Sequence, residues 1–189
     1  AISFGPVGPN FGVMAACATS LMAVDLAVHS LRRGECGVAL AGGVTILLPR
    51  LTGYVAGVEG MFSPSGRLRP FDASADGTIL GEGIGLVVLK RREDAERDRD
   101  RVYALIKGVG VSSDAKGAGL LAPRKEGARL ALRRAYEDAG IDPATVELME
   151  AHGTGTRVGD ETEIRAIQDT FGQRPGSSAP CALGSVKSM

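Results

Sequence analysis

Residues 12–21 read Gly-Val-Met-Ala-Ala-Cys-Ala-Thr-Ser-Leu, a run of mostly small residues that carries one cysteine, Cys17. Apolar residues then recur every three or four positions from Leu21 to Leu31, which predicts a helix, and Gly34 is its predicted stop. We therefore expect Cys17 in the first turn of this helix, where free backbone amides and the positive end of the helix dipole favour a thiolate. A buried structural cysteine fits the local sequence equally well.

The second half of the chain offers candidate partners for this thiol. Residues 146–151 predict a strand, and the loop His152-Gly153-Thr154-Gly155-Thr156 leaves its C-terminal end. Asp160 and Glu163 predict a capping box that opens another helix. The last eight residues predict a short strand that delivers Lys187. A cysteine, a histidine and a lysine from three separate elements indicate a site for acyl transfer to a thiol.

The remaining segments alternate between predicted strands and helices. Strands are predicted over 38–41, 44–48, 84–89 and 102–111, and a helix over 123–139 that ends at Gly140. Ten of the eleven residues from Arg91 to Arg101 are charged, five of each sign, which predicts a solvated surface helix or connector. This alternation predicts an α/β fold with layered, parallel-type sheets.

The composition excludes several classes of protein. Twenty-two basic and 22 acidic residues leave no net charge in a chain of 189 residues, so nucleic acid binding has little support. Cys17, Cys36 and Cys181 have unrelated spacings, which argues against a disulfide framework or a zinc site and favours a reducing cytoplasm. Cys36, Cys181 and His29 are most simply packing residues. No apolar run is long enough to span a membrane, and no secretion signal is visible at the N-terminus.

Two glycine clusters invite comparison with nucleotide-binding loops. The cluster at 81–85 precedes its strand, which is the wrong order for a phosphate loop. The cluster at 153–159 follows a strand, but its third glycine is one position late for a dinucleotide fingerprint. We expect instead that these glycines let the backbone approach a ligand, to which Thr154 and Thr156 offer hydroxyls.

Eight short motifs are distributed along the whole chain. They are the cysteine turn, Met61–Asp72, Ala75–Gly77, Gly81–Gly83, Val87–Lys90, His152–Thr156, Gly159–Asp160 and Gly184–Ser188. In this order and spacing they resemble the β-ketoacyl synthase family, the condensing enzymes of polyketide and fatty acid assembly. The resemblance implies a thiolase-like fold with layered αβαβα architecture.

The chain departs from the family pattern in its cysteine turn and in its length. The turn has Met14-Ala15-Ala16 where many modular polyketide synthases have Asp-Thr-Ala, and together with Met189 this is more similar to the iterative enediyne and polyunsaturated fatty acid synthases. Condensing domains of the family are longer, so we expect a fragment whose second catalytic histidine and glycine-rich loop lie beyond its end. On this interpretation residues 1–91 belong to the first half of the domain, 92–101 form a charged connector, and 102–189 begin the second half.

The resemblance also implies a mechanism. Cys17 takes an acyl chain from a carrier thioester, and a malonyl-type extender on acyl carrier protein then loses carbon dioxide and condenses with it. His152 and the second histidine stabilise the enolate, Lys187 acts electrostatically, and Thr154 and Thr156 contact the pantetheine arm. No cofactor or metal is bound, since phosphopantetheine arrives on the carrier. The family also implies a homodimer.

Three alternatives remain open. A thiolase or an initiating ketoacyl synthase uses a nucleophilic cysteine on the same fold. A non-catalytic partner subunit typically lacks the cysteine, and Cys17 argues against it. Half of a condensing core is not expected to hold Cys17 and His152 in register, so the chain alone is also interpreted as an inert interaction or dimerisation fragment.

Overall fold

Helices and strands are interspersed along the chain in the computed structural model, which describes residues 8–49, 53–56, 61–114, 122–172 and 180–188. The helices are α1 (Thr19–Arg32), α2 (Arg92–Asp98), α3 (Lys125–Ala139) and α4 (Arg157–Phe171), and the strands are β1 (Val38–Thr45), β2 (Gly83–Lys90), β3 (Leu148–Glu150) and β4 (Ala182–Gly184). Short 3₁₀ turns occur at Ala16–Ala18, Pro143–Thr145 and Val186–Ser188. No helix in these ranges has the length and apolar content needed to cross a bilayer.

Two compact units make up the structure. The first contains Ala1–Leu48 and Gly81–Ile106, and the second contains Pro49–Leu80 and Lys107–Met189. The first unit therefore includes α1, α2, β1 and β2, and the second includes α3, α4, β3 and β4.

The first unit consists of α1 packed on an antiparallel pair of strands. Strand β1 runs through Gly42-Gly43 as one strand, where two runs were predicted, and pairs with β2 from Val38 opposite Lys90 to Thr45 opposite Gly83. A Cβ atom on Gly43 would lie 3.1 Å from Cβ of Ser20, so glycine lets the start of α1 approach the sheet. The predicted parallel arrangement is wrong for this pair. Parallel neighbours need a crossover, usually a helix, and the described residues between β1 and β2 contain none.

Most of the charged stretch forms α2, as predicted, and its charged side chains are largely exposed, with Asp94 partly buried. Lys90 contacts the carboxylates of Asp98 and Asp100 at 2.5 and 2.6 Å. The guanidinium of Arg91 donates to the carbonyls of Leu31 and Cys36, at 2.9 and 3.0 Å. These contacts join the end of α1 to the end of β2.

The second unit combines a helix pair with a short parallel ladder. Tyr136 of α3 meets Phe171 of α4 edge to face, with ring centroids 5.8 Å apart. Gly140 ends α3 in the left-handed conformation, at φ 62°, which confirms the predicted stop. Strands β3 and β4 pair in parallel, with Met149 opposite Leu183.

The strand predicted over 102–111 is wrong, since the described residues include no strand paired with it. Within the second unit, side chains of α3 bind the backbone of this segment instead. Asp138 accepts a hydrogen bond from Val109 N at 2.9 Å, and Arg134 donates to Val111 O at 2.6 Å. Gly110 allows this close approach, because a Cβ atom there would lie 2.3 Å from Ala135 N.

Candidate active site

Cys17 lies in the 3₁₀ turn Ala16–Ala18, directly before α1 and not within its first turn as predicted. The cysteine is exposed and its thiol is free. The helix cannot start earlier because Ala16 has a φ of 47°, in the left-handed region. This conformation costs a residue with a Cβ atom about 1–2 kcal/mol, and such strain concentrates at functional sites.

The hydroxyl of Thr19 stabilises this strained turn. It accepts a hydrogen bond from Ala15 N at 2.9 Å and donates one to Ala16 O at 2.8 Å. Ala18 N also donates to Ala15 O at 3.0 Å. Sequence reasoning missed Thr19. The available signal was a hydroxyl residue at the start of a helix, where serine and threonine side chains bind nearby backbone groups.

His152 follows the end of β3, which confirms its predicted position at a strand end. Its Nδ1 atom lies 2.9 Å from Nζ of Lys187, and the lysine also donates to the backbone carbonyl of His152. An ammonium group can only donate hydrogen bonds, so Nδ1 is the acceptor and a neutral His152 carries its proton on Nε2. The structure thus brings together two of the predicted catalytic side chains.

Lys187 lies on the 3₁₀ turn Val186–Ser188 and not on a strand, which corrects the sequence prediction. Strand β4 ends at Gly184. Beyond it, the carboxylate of Glu150 accepts a hydrogen bond from Val186 N at 2.8 Å. This bond replaces the ladder hydrogen bond that a longer strand would make, and the chain turns there.

The surroundings of His152 lower its pKa below the usual value for histidine. Desolvation by neighbouring protein atoms is the larger cause, and the positive charge of Lys187 is the second. The carboxylates of Glu163 and Asp160 act in the opposite direction without cancelling these two effects. Neutral imidazole is therefore the favoured form near neutral pH.

Asp160 and Glu163 hold the loop that carries His152. The carboxylate of Glu163 accepts hydrogen bonds from the backbone N–H groups of His152, at 2.6 Å, and Gly153, at 2.9 Å. Buried Asp160 accepts from Gly155 N at 3.0 Å and from Phe71 N at 2.7 Å. These four bonds attach the loop to α4 and to the segment around Phe71.

The capping box predicted for Asp160 and Glu163 is therefore wrong. Helix α4 begins at Arg157, after Thr156, so both acidic residues are already inside the helix. The N-cap residue of a capping box lies just outside the helix and binds its free N–H groups, and Asp160 does neither. The two carboxylates instead bind the loop that precedes the helix and the N–H of Phe71.

Thr154 and Thr156 are also brought together. Their hydroxyl oxygens are 2.8 Å apart and partly buried. A Cβ atom on Gly159 would lie 2.4 Å from the Thr156 hydroxyl and 2.7 Å from that of Thr154. Glycine at position 159 therefore leaves the space that the two hydroxyls occupy.

The remaining histidine and the two other cysteines lie outside this group of side chains. His29 bonds to the carbonyl of Asp25 through Nδ1, at 3.0 Å on α1, and Cys36 and Cys181 are partly buried free thiols. In the described parts of the chain, no three His, Cys, Asp or Glu side chains cluster as metal ligands would. Cys17 belongs to the first unit, and His152, Lys187, Thr154 and Thr156 belong to the second.

Comparison with known proteins identifies relatives along the whole chain. The family described as "Beta-ketoacyl synthase, N-terminal domain" matches residues 1–95, and "Beta-ketoacyl synthase, C-terminal domain" matches residues 103–189. One of the phenolphthiocerol/phthiocerol polyketide synthase subunits of Mycobacterium tuberculosis is 46% identical over 180 residues, 95% of this chain and 10% of the relative. Polyketide synthase GfsB of Streptomyces halstedii is 43% identical over 188 residues, 100% of this chain and 3% of the relative.

Solved ketosynthases share the fold. The ketosynthase from module 1 of the bacillaene synthase of Bacillus amyloliquefaciens FZB42 superposes with a TM-score of 0.91 at 39% identity, over 99% of this chain and 33% of that one. The oxazolomycin ketosynthase domain OzmH KS7 of Streptomyces albus JA3453 superposes with a TM-score of 0.85 at 36% identity, over 98% and 32%.

The chain thus spans a tenth or less of these polyketide synthases and about a third of the solved ketosynthases. The predicted thiolase-like α/β fold is confirmed by the superpositions. Together the two family models match nearly all of the chain, which therefore belongs to the β-ketoacyl synthase family.

Proposed function

We propose that this chain contributes the condensing site of a polyketide or fatty acid β-ketoacyl synthase. The observation that carries the proposal is the contact between Lys187 and His152, at 2.9 Å beside a glycine–threonine loop, in a member of this family. An imidazole whose pKa is lowered and whose Nε2 holds the proton is suited to donate a hydrogen bond to a developing oxyanion.

The first half of the reaction loads the enzyme. The Cys17 thiolate attacks the carbonyl carbon of an acyl thioester on a carrier, and the carbonyl oxygen becomes an oxyanion. Collapse of this intermediate releases the carrier thiolate, which takes up the proton that Cys17 lost. The products are an acyl thioester on Cys17 and a free carrier thiol.

The second half extends the chain. A malonyl-type thioester loses carbon dioxide, and the electron pair of the broken C–C bond forms an enolate. The enolate oxygen is stabilised by Nε2–H of His152 and by the second catalytic histidine that the family resemblance implies. The enolate carbon attacks the Cys17 thioester and expels the Cys17 thiolate, which is then protonated. Lys187 contributes through its charge and its bond to Nδ1, and it is not the base.

The partners follow from this chemistry. The substrates arrive on acyl carrier protein, whose phosphopantetheine arm would pass the hydroxyls of Thr154 and Thr156, and the chain itself holds no cofactor. The assembled enzyme is a homodimer in the cytoplasm. The free thiols of Cys17, Cys36 and Cys181 support a reducing compartment.

Two variants of the full-length gene product test the proposal. Cys17→Ala should abolish self-acylation by an acyl thioester, measured by mass spectrometry of the peptide that contains residue 17. His152→Ala should acylate normally but form no condensation product. Acylation of the Cys17→Ala protein, or unchanged product from His152→Ala, would refute the assigned roles. A wild-type protein that acyl thioesters leave unmodified would refute the proposed acyl transfer to Cys17.

A further inference from the structure

The hydroxyl of Thr19 links the N–H of Ala15 to the C=O of Ala16 across the strained residue of the cysteine turn. The distances are 2.9 and 2.8 Å, and Ala16 between them has a φ of 47°. Alanine does not favour this conformation. Two backbone bonds, from Ala18 N to Ala15 O and from Thr19 N to Ala16 O, close the turn, and the Thr19 hydroxyl adds one bond on each side of the strained residue.

This constraint acts directly on the backbone N–H of Cys17. The carbonyl of Ala16 and the N–H of Cys17 belong to one planar trans peptide group, so the two bonds point in opposite directions. A side chain that fixes the carbonyl fixes the N–H as well. This N–H lies in the 3₁₀ turn that precedes α1, where the first donors have no carbonyl one turn earlier to bind. It is therefore suited to bind an acceptor from outside the chain.

We propose that Thr19 is a positioning residue that aims the Cys17 N–H at the oxyanion formed during acyl transfer. This inference rests on the proposed function. When the Cys17 thiolate adds to the thioester carbonyl, the carbonyl oxygen gains the negative charge and accepts the Cys17 N–H bond. Collapse restores the carbonyl and expels the carrier thiolate, so the N–H is needed most in the transition state.

A helix cap is the ordinary role for a threonine at this place, and the structure argues against it. The N-cap of α1 is Ala18, and it makes no side-chain cap bond. Both bonds of the Thr19 hydroxyl go to residues that precede Cys17. They therefore constrain the turn around the thiol and do not satisfy the free amides of α1.

Two reactions of the same thiol separate oxyanion positioning from thiol access. Acyl transfer from an acyl N-acetylcysteamine thioester passes through an oxyanion, whereas alkylation by iodoacetamide does not. In the full-length gene product, we expect Thr19→Val to slow acylation of Cys17 by about 10- to 100-fold in kcat with little change in KM, and alkylation by no more than about twofold. Thr19→Ser keeps the hydroxyl and should acylate within about threefold of wild type.

Ser20→Ala is the matched control, because it removes the neighbouring hydroxyl and should leave both rates unchanged. Equal slowing of both reactions in Thr19→Val, unchanged acylation, or a Thr19→Ser protein as slow as Thr19→Val would overturn the inference. If circular dichroism shows that Thr19→Val does not fold, Thr19→Ala is judged by the same criteria. A wild-type protein that does not acylate at Cys17 would instead overturn the proposed function.

Discussion

At the scale of single residues, the ability of the site to donate a hydrogen bond from Nε2 to an oxyanion depends on the protonation state of His152. Desolvation and the charge of Lys187 both lower the pKa of His152, and the 2.9 Å contact directs the proton of the neutral ring to Nε2. Lys187 thereby affects both how much of the histidine is neutral and which nitrogen can donate. A protonated His152 could not accept the Lys187 bond at Nδ1.

Lys187→Met should raise the pKa of His152, because it removes the positive charge and leaves the carboxylates of Glu163 and Asp160. The neutral form is lost as the pH falls through this pKa, so the acidic limb of the decarboxylation rate should move to higher pH. Lys187→Arg keeps the charge and should leave the limb closer to its original position. The rate of carbon dioxide release from a malonyl thioester, measured between about pH 5 and 8, gives the position of the acidic limb in each variant. A limb that Lys187→Met leaves in place would show that Lys187 does not control the titration.

At the scale of elements, α4 acts as the support for the loop from His152 to Thr156. Glu163 and Asp160 bind three of the loop's backbone N–H groups, and Gly159 leaves room for two threonine hydroxyls. Backbone bonds to charged acceptors are among the stronger hydrogen bonds in proteins. The placement of the loop is therefore a property of a helix that contributes none of the predicted catalytic residues.

Gly159→Ala should displace the hydroxyls of Thr154 and Thr156, because the new Cβ atom would lie within 2.7 Å of both oxygens. Without this clash, alanine would stabilise the helix interior by up to about 1 kcal/mol. We expect instead a lower melting temperature and a KM for pantetheine thioesters raised by about tenfold, or about 1.4 kcal/mol. Val158→Ala changes an exposed neighbour on α4 and is the control. A Gly159→Ala protein more stable than wild type with unchanged KM would contradict this assignment.

Local signals made part of this arrangement predictable from the sequence. The small-residue turn located Cys17, and a strand followed by glycines and threonines located His152, because both patterns are short and continuous. The partners of Asp160 and Glu163 were not predictable in this way. Phe71 is 89 positions from Asp160, and nothing in the local sequence indicates that its N–H needs an acceptor. The antiparallel pairing of β1 with β2 likewise depends on residues 46–82, which contribute no helical crossover among those described.

At the scale of the whole molecule, one face of the β1–β2 pair has no covering element among the described residues of the first unit. Leu40, Val44, Ile84, Leu86 and Val88 share this face by their register, and each is 62–74% exposed. The opposite face carries Ala41, only 4% exposed, and Gly43, which α1 approaches closely. A contiguous apolar face of this kind is unusual on a monomeric protein. The solved ketosynthases that share the fold are about three times as long as this chain.

The 189-residue chain expressed alone should therefore bind an apolar dye such as ANS and self-associate. Replacing Leu86 and Val88 together by lysine should reduce both the dye fluorescence and the association, because charged side chains would then stand on the open face.

In the full-length gene product we expect the same double substitution to be destabilising. If additional segments cover the face there, the two lysines would be buried and would lower the melting temperature by several degrees or prevent folding. Dye fluorescence, light scattering and thermal unfolding of both proteins measure this contrast. A full-length double variant as stable as its parent would mean that the face is open to water in the complete protein as well.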